Sequence, residues 1–274
     1  MPENRRSGSA VDATTDAGTR EPGAELLPGY VVTGVLGRGR RVETYEVYSP
    51  LRDTACAVRV LRADLMQDQA ARDLVVLEGT LLKELTHPHL VRGYELAYTP
   101  VPAMVVEMAT GKTLAARTDD RPLEPALVAE LGVQVASALG YLHRQGWLHL
   151  DVTPHGILVG ADRVLLTDLG LLGRTGAVET TAGARRGGYA APEQARHEEL
   201  VPETDVWGLA ATLGYALTGG APFGDDPSWE SGNGSHRLLP RPRQARPGPE
   251  LAGVPPHWRE LLEQALRTDP VERP

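Results

Sequence analysis

The chain opens with a stretch that shows no hydrophobic period. Residues 1–28 are rich in Ser, Thr, Gly, Ala and Pro with scattered charges, which predicts a disordered tail. From Tyr30 the pattern turns short and alternating. Tyr30–Leu36, Glu43–Tyr48 and Thr54–Leu61 are Val-, Tyr- and Thr-rich runs separated by glycines and by Ser49-Pro50, and they predict three antiparallel strands. Asp64–Leu85 changes to the 3–4 spacing of a helix through Leu74, Leu77, Leu81 and Leu82. Two more strands are expected at Leu90–Ala97 and Ala103–Met108. After Gly111 helices dominate. Glu124–Gln145 carries the stripe Leu127, Leu131, Val135, Leu139 and Leu142 and is closed by Gly146. Thr204–Leu217 stops at Gly219-Gly220, and Pro256–Leu266 sets Trp258, Leu261, Leu262, Ala265 and Leu266 on one side. The expected fold class is α+β: a small antiparallel β lobe with one helix over 29–108, then a larger helical lobe over 109–274, with a cleft between them.

Composition narrows the functional classes. The 274 residues carry a formal net charge of −8, which argues against a nucleic-acid binder, because such binding needs a cationic surface to displace phosphate counterions. A hydrophobic fraction of 41% is enough for a packed core. No run of 18 apolar residues exists, so no membrane span is expected, and the N-terminus shows no apolar leader. The single cysteine, Cys56, fits a reducing, cytoplasmic setting. Of the 28 basic residues only Lys83 and Lys112 are lysines. The segment 231–249 holds Arg237, Arg241, Arg243 and Arg246 among prolines and no acid. It reads as an extended basic loop, either a solvated insertion or a contact for an acidic partner.

The candidate chemistry begins at Leu36-Gly37-Arg38-Gly39-Arg40-Arg41-Val42, between the first two strands. Glycines in such a hairpin let backbone N–H groups approach phosphates closely. The ordered series of short motifs downstream carries more weight. Cys56-Ala57-Val58-Arg59, Glu78, His87-Pro88-His89, Val105-Val106-Glu107-Met108, His149-Leu150-Asp151, Asp168-Leu169-Gly170, Ala191-Pro192-Glu193, Asp205-x-Trp207 and Arg273-Pro274 succeed one another along the chain. In that order they resemble the motifs of the protein kinase family, most closely its bacterial Ser/Thr members, from about Tyr30 to the last residue. The resemblance implies a bilobal kinase fold and an ATP cleft. Gly37, Gly39, Ala57, the hinge residues Glu107 and Ala109, and Leu158 would line the nucleotide site. Arg59, Glu78 and Asp151 would stand at catalytic positions, and Asp168 at the metal position. It also implies an apolar spine through His149, Leu169 and Leu82, a brace from Asp205 to the catalytic loop, and a Glu193–Arg273 ion pair.

The departures from the family lie where phosphate and metal are handled. The family's mechanism rests on a strand lysine paired with a helix glutamate, a catalytic-loop Asp and Asn, and Mg²⁺ on the metal-motif Asp. Here the lysine is Arg59, whose planar fork cannot occupy the same point as a compact ammonium. The catalytic-loop lysine is Thr153, the metal-binding asparagine is Gly156, and the docking-loop threonine is Arg186. Leu150 replaces the arginine that reads a phosphate on the activation loop, where Thr180 and Thr181 lie. Val42 and Thr44 alter the phosphate hairpin and the adenine roof. The expectation is a pseudokinase: a regulatory or binding module with a protein partner, ATP binding left open, and Mg²⁺ bound weakly or not at all. The alternative is an active Ser/Thr kinase in which Arg59 serves for the lysine. The family's large lobe carries another helix past the Arg-Pro motif; this sequence stops at Pro274, so either it is truncated or that helix is supplied otherwise.

Overall fold

The computed structural model describes residues 20–99, 101–119, 121–178, 189–220, 251 and 254–274. Thr180, Thr181, Arg186, the basic segment 231–249 and most of the expected tail lie outside the described residues. The small lobe is a six-stranded antiparallel sheet: β1 (Glu25–Leu27), β2 (Tyr30–Arg38), β3 (Val42–Ser49), β4 (Thr54–Leu61), β5 (Gly93–Ala97) and β6 (Ala103–Glu107), in the order β1-β2-β3-β4-β6-β5. The tail expected over 1–28 therefore overlaps a strand. Leu27 is buried, and β1 pairs with the start of β2, which gives this short run the partner that its composition did not announce.

Alternation along the strands sorts the two faces of the sheet. Cys56 and Val58 join Tyr30, Val32, Tyr45, Val47, Ala103 and Val105 in a core on one face. Ala57 and Leu61, with Met104 and Val106, join the main core on the other. Arg59 falls between Ala57 and Leu61 in the same period, so its side chain faces the cleft with them. The helix α1 (Gln69–Glu84) covers that face. It starts later than the pattern predicted: Ala63–Leu65 is a 3₁₀ turn, and Asp68 caps the helix by accepting from the Ala71 N–H. Its buried side is Ala71, Val75, Glu78, Gly79, Leu81 and Leu82, whereas Leu77, expected inside, is 37% exposed. Gly93 lets β5 approach α1, since a Cβ there would lie 2.7 Å from the Leu82 backbone.

The large lobe follows with β7 (Lys112–Thr113), α2 (Leu114–Thr118), α3 (Pro125–Arg144), β8 (Trp147–Leu148), β9 (Ile157–Val159), β10 (Val164–Leu166), β11 (Gly173–Arg174), α4 (Pro192–Arg196), α5 (Pro202–Thr218) and α6 (Pro256–Ala265). By length and composition α3 is long and apolar enough to cross a bilayer. It is the central helix of this lobe, burying Val128, Leu131, Val135, Leu139 and Leu142 and packing on α5, β8 and β10. The lobe also holds the small sheets β10-β9-β7 and β11-β8, and Leu166 of β10 bridges to Leu90 of the small lobe. The loop between β8 and β9 carries Asp151, and the turn after β10 carries Asp168.

Candidate functional site

Three elements meet at the cleft. β4 presents Arg59, α1 presents Glu78, and the turn after β10 presents Asp168. The fork of Arg59 joins the other two: Nη1 donates to Glu78 Oε1 at 2.6 Å and Nη2 to Asp168 Oδ1 at 2.6 Å. The side chains of Glu78 and Arg59 are 3% and 12% exposed, and that of Asp168 is 46% exposed. Glu78 thus occupies a place in the apolar stripe of α1 and meets its cation on the sheet face that α1 covers. Burial pushes the Glu78 carboxyl up from its ordinary range, against the pull of Arg59 and Arg41. Burial also opposes the charge on Arg59, but Glu78 and Asp168 outweigh it and hold the guanidinium above its usual value. Asp168 takes the left-handed conformation at φ +60°, which a short polar side chain tolerates better than most.

The bond from Arg59 to Asp168 bears on metal binding. A divalent ion on Asp168 would compete with a charge-assisted bond from a guanidinium that is already protonated. The second ligand position is Gly156, which offers no side-chain oxygen. Its carbonyl accepts from the Thr167 N–H at 2.8 Å and the Thr167 hydroxyl at 3.1 Å. The residues present do not fit the family's Mg²⁺, and no chemical step is derived through it.

The remaining predicted residues are spread along the same cleft. Gly37 lies near the end of β2 opposite Thr44, and Thr44 stands opposite Arg59 on β4. Gly39 sits in the turn before β3, with its N–H on the Val42 carbonyl at 2.8 Å. Ala57 is buried opposite Val106. Leu158 is half-buried on β9, and Ala109 lies just past β6. Glu107 is more engaged than its hinge position suggested. Its N–H donates to the Arg92 carbonyl at 2.9 Å, its carboxylate accepts from the Arg92 N–H at 2.9 Å, and it pairs with Arg163. Arg163 also donates to the Pro88 carbonyl at 3.4 Å. The hinge is therefore braced to the β9–β10 turn of the large lobe.

Asp151 is half-buried in the loop beneath the cleft. Asp205, fully buried on α5, holds that loop: its carboxylate accepts from the His149 N–H at 2.8 Å, the Leu150 N–H at 2.7 Å and His143 Nε2 at 2.8 Å. Leu150 is at φ +65°, an uncommon conformation that these bonds help impose. Leu82, His149 and Leu169 are all buried where the lobes meet. Arg273 makes a bidentate bond to Glu193 at 2.6 and 2.8 Å with both side chains buried.

Two contacts were not legible in the motifs. Arg41 donates to the Gly170 carbonyl at 2.8 Å across the cleft. Arg62 donates to the Arg40 carbonyl at 2.9 Å and the Gly39 carbonyl at 3.3 Å. The only available signal was the arginine richness of the hairpin, which says nothing about direction.

The sequence profile of the protein kinase domain matches residues 30–274. The serine/threonine-protein kinase PknD of Mycobacterium tuberculosis is 30% identical over 259 residues, covering 92% of this chain and 38% of that protein. The serine/threonine-protein kinase PknK of the same species is 32% identical over 262 residues, covering 92% and 23%. CBL-interacting protein kinase 4 of Oryza sativa subsp. japonica is 30% identical over 249 residues, covering 85% and 54%. The chain thus spans from about a quarter to about half the length of these relatives. Among solved structures, the Mycobacterium tuberculosis PknI kinase domain superposes with a TM-score of 0.71 at 24% identity, covering 93% of this chain and 94% of that one, which shows the fold.

Proposed function

The chain belongs to the protein kinase domain family, and from that premise we propose that it is a catalytically impaired member, a pseudokinase that works as a regulatory or binding module for a protein partner in the cytoplasm. The observation that carries this reading is the Arg59 fork, which joins Glu78 and Asp168 at 2.6 Å each. A guanidinium in that position holds one of the two oxygens of the carboxylate that metal binding needs and sets a positive charge beside it, and Gly156 withholds the second ligand. Removing one preorganised charge-stabilising group from such a site costs roughly 10²–10³ in rate. Losses within one constellation do not add simply, so the expectation is a deficit of several decades. The groups that maintain the fold, Asp205, Glu193 and Arg273, are kept with close geometry. A family scaffold preserved around an altered phosphate site suits a role in recognition.

ATP binding is a separable part of the proposal. Ala57, Val106 and Leu158 keep an apolar wall for a base, and any nucleotide held there owes little to a divalent ion. In thermal denaturation, ATP is then expected to shift the midpoint equally with and without Mg²⁺. The retained Asp151 and Asp168 support the alternative of an active Ser/Thr kinase with Arg59 in the lysine's role. Labelled γ-phosphate transfer by the full chain, to itself and to a generic protein substrate, separates the two. The pseudokinase reading expects the wild type to match Asp168→Ala at background. Transfer at ordinary kinase rates that vanishes in Asp168→Ala overturns it.

A further inference from the structure

The phosphate hairpin carries Arg38, Arg40 and Arg41, and Arg62 lies just past β4. Their charges are largely matched within the small lobe. Arg38 faces Glu43 at 3.4 Å and Asp64 at 3.5 Å, and Arg62 pairs with Asp64 at 2.6 Å. That balance weakens any reading of the hairpin as an open polyanion site. Arg41 behaves differently. It leaves its own lobe and donates from Nη2 to the Gly170 carbonyl at 2.8 Å, a contact 129 residues away in sequence. Gly170 is buried, and a Cβ built on it would lie 2.3 Å from Arg41 Nη2 and 2.8 Å from Glu78 Oε2. The approach of Arg41 and Glu78 to this turn therefore requires glycine at that position.

We propose that Arg41 is an interlobe latch, bonding the phosphate hairpin down onto the turn that carries Asp168. Its backbone is already anchored from behind, since the Arg62 N–H donates to the Arg41 carbonyl at 2.9 Å and the Arg62 side chain to the two preceding carbonyls. With that end fixed, the side chain spans the mouth of the cleft. Moving the hairpin away from the Asp168 turn therefore breaks the Arg41 bond. The latch also places a second guanidinium near the buried carboxylate of Glu78, in addition to the fork of Arg59. It is a closing device built into the fold, separate from whether phosphate is transferred.

Hydrogen exchange of the full-length protein, followed by peptide mass analysis and with no nucleotide present, tests it. The peptides of interest cover residues 36–44 and 168–172. In Arg41→Ala both are expected to exchange about tenfold faster than in the wild type. Gly170→Ala, which keeps the arginine but puts a methyl group where its Nη2 sits, with Glu78 Oε2 also close by, is expected to do the same. Arg52→Ala, which removes a cation paired with Glu95 on the far side of the sheet, should leave both peptides at the wild-type rate. Wild-type exchange of the hairpin peptide in either Arg41→Ala or Gly170→Ala overturns the proposal. That failure leaves the impaired-kinase reading standing, and measured transferase activity leaves the latch standing.

Discussion

Arg59 differs from the family lysine in shape more than in charge. Its fork bonds two carboxylates at once, one buried and one half-exposed. Removing it leaves Glu78 buried without its main partner, and breaking a buried pair this way costs about 3–5 kcal/mol. The loss has a direction in pH. Burial holds the Glu78 carboxyl above its ordinary value, so the folded state binds this proton more tightly than the unfolded chain does. Its stabilising effect is complete below the ordinary carboxylate range and fades as pH rises through the raised value. Arg59→Ala deepens that penalty. Thermal midpoints between about pH 4.5 and 8 are therefore expected to show the gap between wild type and Arg59→Ala widening as pH rises, and a constant gap counts against the pairing. Gly156 is a second case. A Cβ there meets nothing closer than 3.7 Å, so the backbone leaves room for a side chain to start at this position. Gly156→Asn is expected to fold with a midpoint close to the wild type, and with Arg59→Lys to raise labelled phosphate transfer above background by at least tenfold. No gain from that pair would mean that the deficit lies elsewhere.

At the level of elements, the strands and long helices were legible because alternation and 3–4 spacing are local properties of the chain. β4 put Arg59 on the cleft face through its period with Ala57 and Leu61, whereas Glu78 is placed by the order of the kinase-like motifs, ahead of His87-Pro88-His89. The leucine stripe misled for α1, since leucine occupies both its buried and exposed sides, and sheet packing selected Ala71, Val75 and Leu82. β1 was missed because three residues carry no readable period and depend on pairing with β2. The reach of Arg41 was beyond sequence reasoning, because it joins elements brought together only by the whole fold. The tight packing of α1 on β5 yields a prediction of its own. Gly93→Ala forces a Cβ into the Leu82 backbone, and such overpacking costs about 1–3 kcal/mol. Urea unfolding should show that loss, and wild-type stability would mean the helix has room to move.

Across the whole molecule, the links between the lobes include Glu107 to Arg163 at the hinge, the Leu90–Leu166 bridge, Thr86 to the Tyr141 hydroxyl, Arg59 to Asp168, and Arg41 to Gly170. In the large lobe, Arg273 ties the last described turn to α4 through Glu193 and lies 5.2 Å from the Trp207 ring centroid. Arg273→Ala is expected to cost about 3–5 kcal/mol in urea unfolding, because it strands a buried carboxylate; a loss under about 1 kcal/mol would contradict the buried-pair account. The architecture keeps the family's frame and differs from it at the phosphate and metal positions Arg59 and Gly156, and the two meet at Asp168. The most direct test is electron paramagnetic resonance of Mn²⁺ added with ATP to the full chain, comparing wild type with Asp168→Ala. The same small fraction of bound Mn²⁺ is predicted in both proteins, because Arg59 holds the carboxylate. Stoichiometric Mn²⁺ that disappears in Asp168→Ala would contradict it.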